Sequence, residues 1–111
     1  MSVIHKSLAD GRWFTLSLME QLGNIGSEIG RARKSKGVDA RCYEHAITRA
    51  LELFDLTLDD KRWIGRRWEI NRLREAFCDA VLGGHAYKST LEGLDHYFLP
   101  FAFAARAQYR T

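Results

Sequence analysis

Apolar residues recur along this chain at steps of three and four, in four separate runs. Leu18, Leu22, Ile25 and Ile29 make the first. Tyr43, Ala46/Ile47, Ala50 and Phe54 make the second, and Ile70, Leu73, Phe77 and Ala80/Val81 the third. Leu91, Leu94, Phe98, Phe101 and Ala105 make the fourth. That spacing gathers each set on one face of a helix, and such a face has to be covered by another helix. Four such helices in 111 residues predict an all-α fold, a single up-and-down antiparallel four-helix bundle. The expected limits are a lead-in over 1–12 and helices over about 13–36, 39–58, 60–82 and 89–109, in one domain spanning 1–111.

Punctuation along the chain agrees with this division. Ser17 and Glu20 have capping-box spacing, as do Ser89 and Glu92. Asp39 suits the N-cap of the second helix, and Asp59 and Asp60 can cap the third. The basic tail Arg31 to Lys36 followed by Gly37, and the pair Gly83-Gly84, read as helix ends. Pro100 falls inside the fourth helix and should bend it. The bend either wraps the helix around the core or shapes a contact between subunits.

Gly23, Gly26 and Gly30 interrupt the first helix at positions that share one face beside the apolar stripe. Each glycine costs about 1 kcal/mol relative to alanine in a helix interior, so three together cost roughly 3 kcal/mol, a large share of a small domain's stability. A strip without side chains lets another backbone approach closely, either inside the bundle or from a second subunit. Around it lie Gln21, Asn24, Ser27, Glu28 and Arg31. They form either a solvated stripe bonded locally or a buried network in which Glu28 holds an arginine of a neighbouring helix.

Composition adds limits. An apolar fraction of 46%, with six Phe, four Tyr and three Trp, is ample for one core. No uncharged apolar run reaches the roughly 18 residues of a membrane helix, and the N-terminus lacks a secretory h-region. A cytoplasmic location is the default expectation. Cys42 and Cys78, the two cysteines, are expected to be small core residues and not a disulfide.

Net charge is +3, but it is unevenly spread. Residues 38–60 carry two Lys/Arg against six Asp/Glu, while 1–37 and 61–82 each carry six against three. An acidic second helix thus lies between two basic ones. Lys61, Arg62, Arg66 and Arg67 stand near the start of the third helix, where positive charge opposes the helix dipole. Asp55, Asp59 and Asp60 are available to neutralise them. In an up-and-down bundle Arg106 and Arg110 come to the same end, with Trp63, Trp68 and Tyr109 nearby. Cations interleaved with exposed aromatics can hold phosphates and stack bases, so these six basic residues are the candidate nucleic-acid contacts. Gly23, Gly26, Gly30, Asn24 and Glu28 are the candidate helix-packing or oligomer contacts.

Catalytic patterns are sparse. Arg41 and His45 share a face of the second helix and could serve a helical ribonuclease. Glu92 and His96 are four apart, but the paired Glu-x-x-His motifs of a di-metal bundle do not occur. No phosphate-binding glycine loop, H-E-x-x-H or nucleophile elbow is found. Neither a cofactor, a metal nor a small-molecule substrate is expected.

The runs Gln21 to Arg31 and Tyr43 to Leu53 resemble the small four-helix proteins encoded in 23S-rRNA intervening sequences, to which a retroelement accessory protein is related. That pattern has Glu three residues after Asn and next to Gly. Here Glu28 is four after Asn24, and Ile29 precedes Gly30. Gln21 to Glu28 and Arg49 to Leu58 are also similar to a group of uncharacterised bacterial proteins of this length. The resemblance implies an up-and-down bundle that assembles into a ring, for which a pentamer is the expectation, with a basic surface for nucleic acid or a nucleoprotein. It implies no catalytic residues. The expected function is therefore a non-enzymatic, homo-oligomeric binding module. The alternatives are a purely structural or protein-interaction bundle and, behind it, the ribonuclease.

Overall fold

A computed structural model describes residues 11–109 of the chain, with side-chain surroundings through Ala104. The architecture is an all-α four-helix bundle. Helix α1 spans Leu18–Ser35, α2 Ala40–Asp59, α3 Arg67–Val81 and α4 Leu91–Tyr109. Helix α1 is the centre of the assembly and packs most extensively on α4 and α2, whereas α3 lies on α2 and touches α4 only slightly.

The core is built by the apolar stripes. Ile25, Ile29, Ala46, Ala50, Phe54, Ile70, Phe77, Leu91 and Phe98 are all buried. Phe54 ties three helices together, with ring centroids 6.0 Å from Phe77 and 6.2 Å from Phe98, the latter edge-on. Ala105 is in the helix, but its side chain lies outside the described residues.

Three boundaries differ from the expectation. The first helix does not run on from residue 13. Arg12–Thr15 form a separate 3-10 turn, and the capping box starts α1: the Ser17 hydroxyl accepts from Glu20 N–H while the Glu20 carboxylate accepts from Ser17 N–H. The break lets Trp13 fold back as a fully buried plug. The third helix is likewise divided. Lys61–Arg66 form a 3-10 segment with non-helical backbone at Trp63, and α3 follows. At α4 the Ser89–Glu92 box does not form. The Thr90 hydroxyl accepts from Gly93 N–H instead, and Ser89 N–H donates to Asp79. Asp39 caps α2 as expected, accepting from Cys42 N–H. Cys42 and Cys78 are free, but half-buried and not core. Pro100 is accommodated on the exposed side of α4. No described helix is long and apolar enough to cross a membrane.

The glycine strip is covered by α4 of the same chain. An added methyl at Gly23 would stand 3.3 Å from the Ala102 Cα and Phe101 carbonyl, and at Gly26 2.7 Å from the Phe98 Cβ. The polar residues beside it divide between their two readings. Asn24 and Ser27 bond back to the carbonyls of Glu20 and Gly23. Glu28 is buried and faces Arg49 of α2 at 3.7 Å and Arg31 at 3.9 Å. Its Oε2 accepts no hydrogen bond among the described residues.

Candidate nucleic-acid interface

The basic residues that open α3 are positioned by a buried polar knot under them. Gln21, fully buried, donates from one amide nitrogen to the Trp13 carbonyl at 2.9 Å and to Asp60 Oδ2 at 3.0 Å. Its carbonyl accepts from Trp63 Nε1 at 3.0 Å. Trp13 Nε1 in turn donates to the Thr57 hydroxyl. Buried polar groups have to be matched in this way, and the matching joins Trp13 and Gln21 to the distant stretch that holds Thr57, Asp60 and Trp63. It also explains the backbone break at Trp63, because a straight helix from residue 60 would carry that indole elsewhere.

Arg62 belongs to this knot. Its guanidinium donates to both carboxylate oxygens of Asp60 and, at 2.6 Å, to the Leu16 carbonyl, and it lies 4.5 Å from the Trp63 ring centre. The Arg62 hydrogen bonds, aided by Gln21 and outweighing the cost of burial, hold the Asp60 carboxyl down at about 2. Arg62 is raised in return by the same pair. Of the expected neutralising acids, Asp60 thus takes Arg62, while Asp55 takes Arg74 at 2.9 Å.

The remaining cations stand outward. Lys61, Arg66 and Arg67 are exposed. Arg67 donates to the Leu58 carbonyl at 3.1 Å, near the negative end of the α2 dipole. Arg66 has only a loose pair with Glu69 at 4.0 Å, both side chains largely in solvent. Next to them Trp68 is 72% exposed. Arg72, one turn on, lies 5.3 Å from the Trp68 ring centre and 5.7 Å from that of Tyr87. Tyr87 is fixed by its hydroxyl donating to Glu75, a bond that raises its own titration. The loop carrying Tyr87 is held by Asp79, whose carboxylate accepts from the N–H groups of Ala86, Tyr87 and Ser89. Burial would raise that carboxyl, and these bonds together overcome it and lower it.

Arg66, Trp68 and Arg72 thus line one groove on the shoulder at the start of α3, while Arg67 turns to the Leu58 carbonyl and Lys61 lies beside Asp59 and Arg62, the last held by Asp60 and the Leu16 carbonyl. The Arg106 side chain and Arg110 lie outside the described residues. Arg72 and Tyr87 were not among the expected contacts. The four-residue spacing of Trp68 and Arg72 carried a signal for the first, but nothing local pointed to Tyr87. Arg41 and His45 are both exposed on α2. No cluster able to hold a metal ion occurs among the described residues.

Fold and shoulder define an all-α bundle with a basic, aromatic surface at one end. No family model, curated protein or solved structure matches the chain.

Proposed function

We propose that this protein is a non-enzymatic, self-associating helical bundle that binds nucleic acid on the shoulder at the start of α3. The observation that carries the reading is Trp68, 72% exposed and flanked by Arg66, Arg67 and Arg72. An exposed indole costs solubility and adds nothing to the core. With cations around it, it is a stacking platform for an unpaired base, worth about 1–3 kcal/mol. Lys61, Arg66 and Arg67 meet the adjoining phosphates. Neutralising three phosphates of a single strand gives a salt slope of about −2, so affinity falls about 20-fold from about 50 to about 200 mM salt.

The test is fluorescence anisotropy of labelled RNA and DNA oligonucleotides across that salt range. Retention should disappear in the double variant Lys61→Glu, Arg66→Glu, with the light-scattering mass and circular dichroism unchanged. Absent or salt-independent binding overturns the reading. A loss of mass in the double variant assigns these cations to a subunit contact instead.

A further inference from the structure

The slight contact between α3 and α4 leaves a groove of about 710 Å³ between them, with Arg66, Trp68, Glu69 and Arg72 at its rim. A space of that size is in the range of small-ligand sites, about 300–1,000 Å³. Its walls include Leu22, Leu73, Ala76 and Phe101, whose side chains form no hydrogen bonds. The Trp63 indole N–H, also in the lining, is already given to Gln21. A flat ring can therefore enter the groove, but its polar edge has to turn toward the rim, because a polar edge buried against these walls would lose its partners.

One rim residue is out of place beside phosphates. Glu69 puts a negative charge next to Arg66 and Arg72, where it repels the backbone of any nucleic acid. It is not there to neutralise Arg66: the two stand 4.0 Å apart with side chains 67% and 64% exposed, and such a pair holds neither group firmly. A carboxylate beside guanidinium groups is, however, the right set for one base. Guanine carries two adjacent N–H donors, N1 and the 2-amino group, which one carboxylate can take together. On its other edge O6 and N7 accept from an arginine. Adenine and cytosine each offer a carboxylate a single amino group, and uracil and thymine a single ring N–H.

We infer that the groove seats one unpaired guanine, stacked at Trp68, with Glu69 accepting from its N1 and 2-amino groups and Arg66 or Arg72 donating to O6 and N7. The inference rests on the nucleic-acid reading above and names the base that the shoulder selects. Lys61 and the arginines then meet the flanking phosphates, and the apolar walls accept the ring without reading it.

Fluorescence anisotropy with the full chain tests this, using a short labelled oligothymidylate that carries one central guanine, inosine, adenine or cytosine. Guanine should bind about 5- to 150-fold more tightly than adenine or cytosine, the discrimination that one bidentate contact gives. Inosine, which lacks the 2-amino group, should fall below guanine. Glu69→Gln should abolish the preference while strengthening binding of the adenine and cytosine strands, since a negative charge leaves the surface. A merely electrostatic role for Glu69 would strengthen all four strands alike. Equal affinity for guanine and adenine, inosine as tight as guanine, or a preference that survives Glu69→Gln overturns the guanine assignment and leaves the basic shoulder standing. A wild type that retains none of the strands overturns both.

Discussion

Replacing the three glycines of α1 by alanine, one at a time, converts interhelical approach into a graded series. All three lie inside one helix, so each substitution gains about the same propensity, close to 1 kcal/mol. What differs is what the new methyl meets. At Gly26 it would stand 2.7 Å from the Phe98 Cβ. That atom is the stem of a buried side chain, and only a shift of α1 against α4 relieves the clash. Overpacking of this kind costs about 1–3 kcal/mol, leaving a net loss of up to about 2 kcal/mol. At Gly23 the neighbours are backbone atoms at 3.3 Å, which need give only a few tenths of an ångström, so gain and cost nearly cancel. At Gly30 the neighbour is Asp95 Oδ1 at 2.9 Å, the free end of a side chain that can turn aside. Turning strains its 2.6 Å contact with Arg33, but both groups are partly in solvent and such a pair contributes about 0.2–1 kcal/mol. Gly30→Ala should therefore be neutral or stabilising by up to about 1 kcal/mol. The assay is urea unfolding followed by far-UV circular dichroism, and 1 kcal/mol corresponds to roughly 4–8 °C in Tm near this size. The expected order of stability is Gly30→Ala, then Gly23→Ala, then Gly26→Ala. Three equal shifts, or Gly26→Ala as the most stable of the three, would refute the reasoning.

Two further predictions concern the polar knot. Gln21→Leu leaves the Trp13 carbonyl, Asp60 and the Trp63 indole N–H short of partners in a site closed to water, and should cost about 1–3 kcal/mol in the same urea assay. Asp60, with its carboxyl held at about 2 against an ordinary 3.8, contributes stability that is complete above about pH 4 and is lost as pH falls through about 2. The shift corresponds to roughly 2 kcal/mol, which solvent around the half-exposed Arg62 reduces toward 1. Asp60→Asn should accordingly be less stable than wild type at neutral pH, with the gap narrowing as unfolding is measured at successively lower pH. A gap constant down to pH 2 would show that the charge is not its source.

The fold was legible wherever its cause is local. A stripe such as Ile25, Ile29 or Ala46, Ala50, Phe54 needs only the helical period to mark its face, and those residues are buried. The Ser17 and Asp39 caps depend on neighbours three residues away. The misplaced boundaries have distant causes. The start of α3 is set by Gln21 bonding to residues 39 and 42 positions further on, and no window of sequence contains both ends of such a bond. Thr90 replaces Ser89 as the cap because Asp79 claims the Ser89 N–H from the end of the preceding helix. For the shoulder, the run Lys61 to Arg67 announced a basic cluster. That Arg62 is spent on Asp60 and the Leu16 carbonyl, while Arg66 stays outward, is decided by tertiary contacts.

The open groove between α3 and α4 has its physical origin in α1. Helices with ordinary side chains at their contact keep axes about 8–10 Å apart. The glycines remove that spacer, so the α4 backbone settles directly on α1, with Ala102 and the Phe101 carbonyl over Gly23. Meanwhile α3 is anchored to the other flank by Arg74 on Asp55 and Arg67 on the Leu58 carbonyl. Drawn in opposite directions, α3 and α4 cannot close over each other, and the groove stays open. One edge of α3 then supplies Leu73 and Ala76 to the groove walls, and Trp68 and Arg72 meet at its rim. Close packing at three glycines thus keeps open the groove whose rim carries Trp68, Arg66 and Arg72.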